Sequence, residues 1–212
     1  KGRLDHLRIG LCGDLKYGRT VHSLIRTMTR FPGSSFVLIS TPELALPKYV
    51  LDVIDAAGCT CSAAESLEQA LPELDVLYMT RIQQERFSSR EEYERQKGVF
   101  VLDSVKLRNA KPDLKILHPL PRVDEISVDV DGDPRASYFE QTVYGVYARM
   151  ALILTILQSR DRPRKRKIPH PTHPHRCSNP KCITQTERYL PGLFTEVGDM
   201  LLCSYCDSGT LI

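Results

Sequence analysis

The 212-residue sequence lacks the long apolar segments that membrane and secreted proteins carry. It contains no apolar run of about 18 residues, so no transmembrane helix is expected. Its first residues contain neither an apolar stretch long enough for a signal peptide nor an initiating methionine, and we expect a fragment or a processed product. Because 42% of the residues are hydrophobic and 26% are charged, the composition is globular, which excludes the disordered and collagen-like classes.

A general excess of positive charge is also lacking. The formal net charge is +3, but residues 160–176 alone hold seven Lys or Arg and one Asp, so the remainder of the chain is net negative. Residues 159–175 also contain four prolines, and a segment of this composition cannot bury a core. We therefore predict a domain over residues 1–158, a basic Pro-rich linker over residues 159–176 and a cysteine-rich domain over residues 177–212.

Residues 1–158 alternate short apolar runs with amphipathic helical patterns, which is typical of the α/β class. Strands are predicted at residues 8–13, 35–40, 59–62, 75–80 and 115–118. Helices are predicted at residues 20–31, 47–57, 66–71 and 137–158. Strands that are apolar throughout are buried on both faces, so we expect a Rossmann-like parallel sheet with helices on both faces.

The last of these helices has apolar residues at three- and four-residue steps, which form one stripe along the helix. They are Phe139, Val143, Val146, Tyr147, Met150, Leu154 and Leu157. A stripe of this kind usually packs onto a core, and we predict a packing helix.

Four of the seven cysteines lie in the last 36 residues. Cys177 and Cys182 form one close pair, and Cys203 and Cys206 form a second pair after twenty residues. Four thiolates at this spacing favour a structural Zn²⁺ site without an open coordination position. The metal would supply the folding energy of a small zinc-ribbon-like β module. Two disulfides and a [4Fe–4S] cluster are the alternatives. The clustering is typical of metal binding rather than of disulfides, and it predicts a reducing, cytoplasmic location.

Three polar segments follow predicted strands, at residues 13–20, 80–86 and 118–125. Open parallel sheets bind ligands at this end of their strands. Arg19, Arg81 and Gln83 offer two guanidinium groups and an amide, which suit a small dicarboxylate. The prolines on either side of Leu120 fix a turn whose carbonyls could accept from an amide N–H. Taken alone, each arginine would be interpreted as a surface salt-bridge residue, and His118 as a structural histidine.

Three motifs in this order resemble the aspartate-binding domain of the aspartate carbamoyltransferase catalytic chain, over residues 1–158. They are Gly13-Asp-Leu-Lys-Tyr-Gly-Arg-Thr-Val-His-Ser23, Tyr78-Met-Thr-Arg-Ile-Gln-x-Glu-Arg86 and Leu117-His-Pro-Leu-Pro-Arg-Val-Asp-Glu-Ile126. The cysteine-rich end resembles the zinc domain of the regulatory chain, so the whole resembles part of a fused catalytic–regulatory polypeptide. An ornithine carbamoyltransferase fits less well, because the pairing of Arg81 with Gln83 suits a dicarboxylate.

The resemblance implies pyrimidine biosynthesis, in which carbamoyl phosphate and L-aspartate give N-carbamoyl-L-aspartate and phosphate. By the family pattern, Arg19, Arg81 and Gln83 hold the aspartate carboxylates, with Thr20 beside them. The family pattern also makes Pro119 and Leu120 present carbonyls to the carbamoyl nitrogen and makes the Leu120–Pro121 bond cis. Loop closure is expected to involve Lys16, Tyr17 and Glu92. A trimer-based homo-oligomer is expected as well.

The family's carbamoyl-phosphate domain and the regulatory nucleotide-binding domain are absent from these residues, so we expect the chain to be inactive alone. No residue is expected to act as a covalent nucleophile, and catalysis is expected to depend on orientation and charge stabilisation. The basic linker motivates one alternative, a nucleic-acid-binding zinc protein, but the chain lacks interleaved aromatic residues and a recognition helix. A non-catalytic scaffold is the other alternative.

Overall fold

The computed structural model describes residues 1–84, 87, 89–159, 176–197 and 200–211. The chain forms two compact units, Lys1–Ile153 and Leu154–Ile212. Nearly all of the predicted basic linker lies outside the described residues.

The first unit is built on a five-stranded parallel sheet. Its strands are β1 (Arg8–Cys12), β2 (Ser35–Ile39), β3 (Thr60–Ala63), β4 (Val76–Met79) and β5 (Lys115–Leu117). They are ordered β3-β2-β1-β4-β5, and Gly10 in the centre pairs with Val37 on one side and Leu77 on the other. The helices are α1 (Arg19–Met28), α2 (Lys48–Ala56), α3 (Leu67–Ala70), α4 (Arg90–Gln96) and α5 (Tyr138–Gln158), of which the last continues into the second unit from Leu154. The predicted α/β parallel sheet is confirmed.

The sheet separates two hydrophobic cores, which explains why its central strands are apolar at every position. Along β4, Val76 and Tyr78 point into one core, while Leu77 and Met79 point into the other. The first core is covered by α1 and α2, whose buried residues are Val21, Ile25, Met28, Val50 and Ile54. The second core is covered by α3 and by short helical turns that contribute Leu71, Leu107 and Val130.

The long helix α5 forms where the sequence predicts it, but its predicted packing is wrong for the residues that the structure describes. All seven residues of the apolar stripe are exposed, from 48% at Val143 to 60% at Tyr147. Only Tyr138, at the start of the helix, is buried. Periodicity reveals that a helix has an apolar face, but it cannot reveal whether the surface that covers this face belongs to the same chain.

The second unit contains α6 (Ile183–Thr186) and the strands β6 (Phe194–Val197), β7 (Met200–Cys203) and β8 (Gly209–Leu211). The three strands form an antiparallel sheet in the order β6-β7-β8. Phe194 and Leu201 pack against three buried cysteines in a very small core. Among the helices of the described residues, none has both the length and the apolar character needed to cross a membrane.

Candidate active site and metal centre

A cleft of about 230 Å³ opens at the carboxyl ends of β1, β4 and β5. The chain leaves β1 toward β2 on one side, while β4 and β5 lie on the other, so the cleft lies at the switch point where such sheets bind ligands. Its lining residues come from the three predicted loops: Asp14, Tyr17, Gly18, Arg19, Thr20, Thr80, Arg81, Gln83, His118, Pro119, Leu120 and Pro121.

Hydrogen bonds connect the loops that follow β1 and β4. The Asp14 N–H donates to Thr80 Oγ1 at 2.9 Å, and Thr80 Oγ1 donates to the Cys12 carbonyl at 3.1 Å. Gly13 has a φ of +109°, and a Cβ at this position would lie 2.3 Å from the Thr80 carbonyl oxygen. Only glycine allows this close approach. The Tyr17 N–H then donates to Asp14 Oδ1 at 2.9 Å, which folds the loop back toward α1.

Arg19 and Thr20 are the first two residues of α1, so their backbone N–H groups belong to the unpaired first turn of a ten-residue helix. This end of the helix carries partial positive charge and favours an anion. The cationic side chains of Arg19 and Arg81 border the same cleft. The cleft is therefore electropositive, and its chemistry suits a small molecule with more than one carboxylate or phosphate group.

The loop after β5 has an unusual backbone. Leu120 has a φ of +49°, and the Leu120–Pro121 bond is cis, as the family resemblance implies. Arg122 forms a two-pronged ion pair with Asp131, which also accepts from the Tyr138 hydroxyl at 2.5 Å. Burial, and next the neighbouring Asp131 carboxylate, raise the pKa of Tyr138 to about 12. This network fastens the loop to the start of α5.

All seven residues predicted to bind substrate line the cleft. They are Arg19, Thr20, Arg81, Gln83, Pro119, Leu120 and Pro121. Of the predicted closure residues, Tyr17 also lines the cleft. The Nζ atom of Lys16 lies over the Tyr17 ring, 5.1 Å from the ring centroid. Glu92 lies in the first turn of α4 and does not line the cleft.

Four lining residues were not among the predicted site residues: Asp14, Gly18, Thr80 and His118. All four lie in the three polar segments predicted to follow the strands, and that placement was the available signal. Asp14 follows β1 after a single glycine, and Thr80 directly follows β4.

The four C-terminal cysteines form the second candidate site. Their Sγ atoms all lie within 4.8 Å of one another, with 3.5 Å between Cys177 and Cys206 and 3.9 Å between Cys182 and Cys203. A disulfide requires about 2.05 Å, so the disulfide alternative is not what the structure has. Four thiolates around one Zn²⁺ at about 2.3 Å would lie about 3.8 Å apart, and the cluster could hold such an ion.

Comparison with known proteins gives the family. Residues 5–156 match the family model described as aspartate/ornithine carbamoyltransferase, Asp/Orn binding domain. The aspartate carbamoyltransferase catalytic subunit of Lachnoclostridium phytofermentans is 56% identical over 158 residues, which are 74% of this chain and 52% of that protein. The corresponding subunit of Bifidobacterium longum is 53% identical over 157 residues, 74% of this chain and 49% of that protein.

Solved structures give the same result. The catalytic subunit of M. jannaschii aspartate transcarbamoylase has a TM-score of 0.70 at 41% identity, over 76% of this chain and 52% of that one. The Trypanosoma cruzi enzyme in complex with N-(phosphonacetyl)-L-aspartic acid has a TM-score of 0.66 at 38% identity, over 72% and 50%. The chain spans about half the length of the relatives it matches. It belongs to the aspartate/ornithine carbamoyltransferase family, through the Asp/Orn binding domain of that family.

Proposed function

We propose that this chain supplies the aspartate-binding half of an aspartate carbamoyltransferase, which makes N-carbamoyl-L-aspartate and phosphate in pyrimidine biosynthesis. The observation that carries the proposal is the single cleft that Arg19, Arg81 and Gln83 share with the Pro119–Pro121 turn. Each guanidinium can grip one carboxylate with two parallel hydrogen bonds, which discriminates a dicarboxylate from ornithine.

In this proposal, Arg19, Arg81 and Gln83 hold the two carboxylates of aspartate, and Thr20 lies beside them. The carbonyls of Pro119 and Leu120 accept from the carbamoyl –NH₂ group and direct the carbamoyl carbon toward the aspartate amine. The amine attacks that carbon, the C–O bond to phosphate breaks, and the proton lost by the amine leaves with the phosphate. Orientation of the two substrates and stabilisation of the developing negative charge supply the rate, and no covalent bond to the enzyme is needed.

We propose that a second domain completes the carbamoyl phosphate site; the chain spans about half the length of its relatives. Helix α5 supports this proposal. Its residues from Phe139 to Leu157 belong almost entirely to the family match, yet their apolar side chains are exposed. An apolar surface of this extent is typical of a surface that a partner covers. We propose that the second domain covers part of it. Closure would bring Lys16 and Tyr17 toward Glu92.

We propose that residues 177–212 form a four-cysteine zinc domain, joined through the linker at 159–176. Sulfurs within 4.8 Å of one another support this proposal, because tetrahedral Zn²⁺ would hold them about 3.8 Å apart, and two polar side chains also bond to them. Thr184 Oγ1 donates to Cys182 Sγ at 3.2 Å, and Asn179 Nδ2 donates to Cys206 Sγ at 3.6 Å. Such hydrogen bonds orient and stabilise thiolate ligands. Because four protein ligands close the coordination sphere, the zinc is structural. A [4Fe–4S] cluster remains the alternative that metal analysis distinguishes.

Two further proposals concern the cellular compartment and the oligomeric state of the protein. None of the seven cysteines forms a disulfide, which supports a reducing compartment such as the cytoplasm. The relatives are named as subunits, which supports an assembly, and we propose a homo-oligomer based on trimers. Light scattering of the purified protein measures this directly.

The function is tested with a chimera. The matching 158 residues of the Lachnoclostridium relative are replaced with those of this chain, and carbamoyl-aspartate formation is measured. We expect turnover by the chimera and none by the 212-residue chain alone. A chimera that folds and assembles like the recipient but does not turn over, while the recipient does, would contradict the proposed function. So would turnover by the chain alone.

A further inference from the structure

The loop after β5 contains a buried histidine–glutamate pair that the proposed function does not use. The His118 side chain is fully buried, although the residue borders the cleft. Its two ring nitrogens bond in different directions. Nε2 lies 2.6 Å from Glu125 Oε1, and Nδ1 lies 2.8 Å from the backbone nitrogen of Leu120. The imidazole therefore connects a buried carboxylate to the turn that lines the cleft.

The partners fix the proton on the imidazole. Burial raises the pKa of the Glu125 carboxyl, but hydrogen bonds from His118 and from backbone N–H groups outweigh burial and hold this pKa below its usual range. Glu125 is thus an ionised acceptor, whose Oε2 also accepts from the N–H groups of Val123 and Asp124 at 3.1 Å. His118 Nε2 must then donate. The Leu120 N–H can only donate, so Nδ1 must accept, and the ring is the Nε2–H tautomer.

This tautomer determines where a carbonyl in the cleft points. The Pro119–Leu120 peptide is trans, since the cis bond in this turn is the next one. In a trans peptide, the C=O and the N–H point in opposite directions. The Leu120 N–H points to the buried imidazole, so the Pro119 carbonyl points away from the imidazole, and Pro119 is one of the residues that line the cleft. The same bond supports Leu120 at a φ of +49°, which is unfavourable for leucine.

We propose that His118 and Glu125 are positioning residues that aim the Pro119 carbonyl at the substrate's –NH₂ group. The inference rests on the proposed function and deepens it. The aimed carbonyl makes the site select an acyl phosphate that carries an N–H donor. An acyl phosphate with a methyl group in that place leaves the carbonyl without a partner, and a site built to bond a polar group rejects an analogue that lacks it.

The first test is spectroscopic and uses the 212-residue chain itself. Two-dimensional NMR of the ¹⁵N-histidine-labelled chain reports the tautomer of each imidazole, and loss of one signal in H118N assigns His118. We expect the Nε2–H tautomer at neutral pH. In E125Q, the one remaining side-chain oxygen cannot serve both the ring and the backbone N–H groups, so the single tautomer should be lost. An Nδ1–H tautomer or a doubly protonated ring in the unaltered chain would overturn the inference.

The second test is kinetic and uses the chimera with two matched substitutions. In H118N, Oδ1 lies the same number of bonds from Cβ as Nδ1 and can accept from the Leu120 N–H. In H118Q, the side chain is one bond longer, so the amide reaches the position of Nε2 and not that of Nδ1. We expect H118Q to raise the KM for carbamoyl phosphate roughly tenfold, with the KM for aspartate changed less than twofold, and H118N to recover most of the loss. Thermal unfolding of both variants controls for stability.

Acetyl phosphate is the ligand control, because its methyl group cannot donate a hydrogen bond. Its inhibition constant should be the same in H118Q and in the unaltered chimera. Equal carbamoyl phosphate KM values in H118Q and H118N would overturn this inference while leaving the proposed function intact. A folded but inactive unaltered chimera would overturn the proposed function, and the inference with it, whatever the tautomer.

Discussion

Replacing Arg81 with alanine should specifically weaken the use of aspartate. Arg81 is half-buried where the loop after β4 begins, and it is one of the residues that line the cleft. Loss of a bidentate, charge-assisted contact with a carboxylate costs about 2–4 kcal/mol of binding free energy. The lower end of this range is favoured because the cleft is open to solvent. At about 1.4 kcal/mol per factor of ten, kcat/KM for aspartate should fall roughly 30- to 700-fold in the chimera.

Two control variants distinguish the loss of the bidentate hydrogen bonds from the loss of positive charge and from a loss of stability. Arg81→Lys keeps the charge but not the planar fork, so it should recover only a small part of the activity. Arg26→Ala removes an exposed arginine from α1 outside the cleft and should leave kcat/KM for aspartate within twofold. The KM for carbamoyl phosphate, measured at saturating aspartate, should change little in every variant. A loss below threefold in Arg81→Ala would refute the assignment of this residue to an aspartate carboxylate.

Three further predictions concern the metal, the backbone and pH. We expect elemental analysis to find one Zn²⁺ per chain in the unaltered protein and in Cys61→Ser. Cys203→Ser should lose this zinc and unfold the small domain, and a full zinc content in that variant would contradict the ligand set. Gly13→Ala should lower the melting temperature, because the added Cβ meets the Thr80 carbonyl oxygen at 2.3 Å; an unchanged melting curve would contradict this contact. Burial raises the pKa of Asp75, but the hydrogen bonds and cations around its carboxylate outweigh burial and lower the pKa overall. Its stabilisation should therefore be complete above the ordinary carboxyl pKa and disappear as the pH falls below it, and Asp75→Asn should flatten that part of the acid unfolding curve.

The sheet could be predicted from the sequence because its signals are local. Apolar runs such as residues 35–40 and 75–80 can be buried only in the middle of a sheet covered on both faces. The cleft could be predicted in the same way, since Arg81 and Leu120 come just after such runs and Arg19 ends the loop that follows another. The four cysteines could be grouped because their spacing is a property of the ligands and the metal, independent of the remaining fold.

Features that depend on distant parts of the chain, or on other chains, could not be predicted. The stripe on α5 indicated a packing helix, yet the surface that would cover it is not among the described residues of this chain. His118 was considered a structural histidine, and nothing in the spacing from His118 to Glu125 indicates that the two side chains meet in a buried pair at 2.6 Å. Burial of a polar pair is a tertiary property, and only the folded chain reveals it.

The proposed function requires Arg19 and Arg81 to hold the two carboxylates of one small acidic ligand, a claim that a crystal structure of the chimera with N-(phosphonacetyl)-L-aspartate would test. We predict that the aspartate portion lies in the cleft between the two guanidinium groups, with its carboxylates bonded to Arg19, Arg81 and Gln83. A ligand whose carboxylates lie outside the cleft, or whose carboxylates touch neither arginine, would contradict the claim.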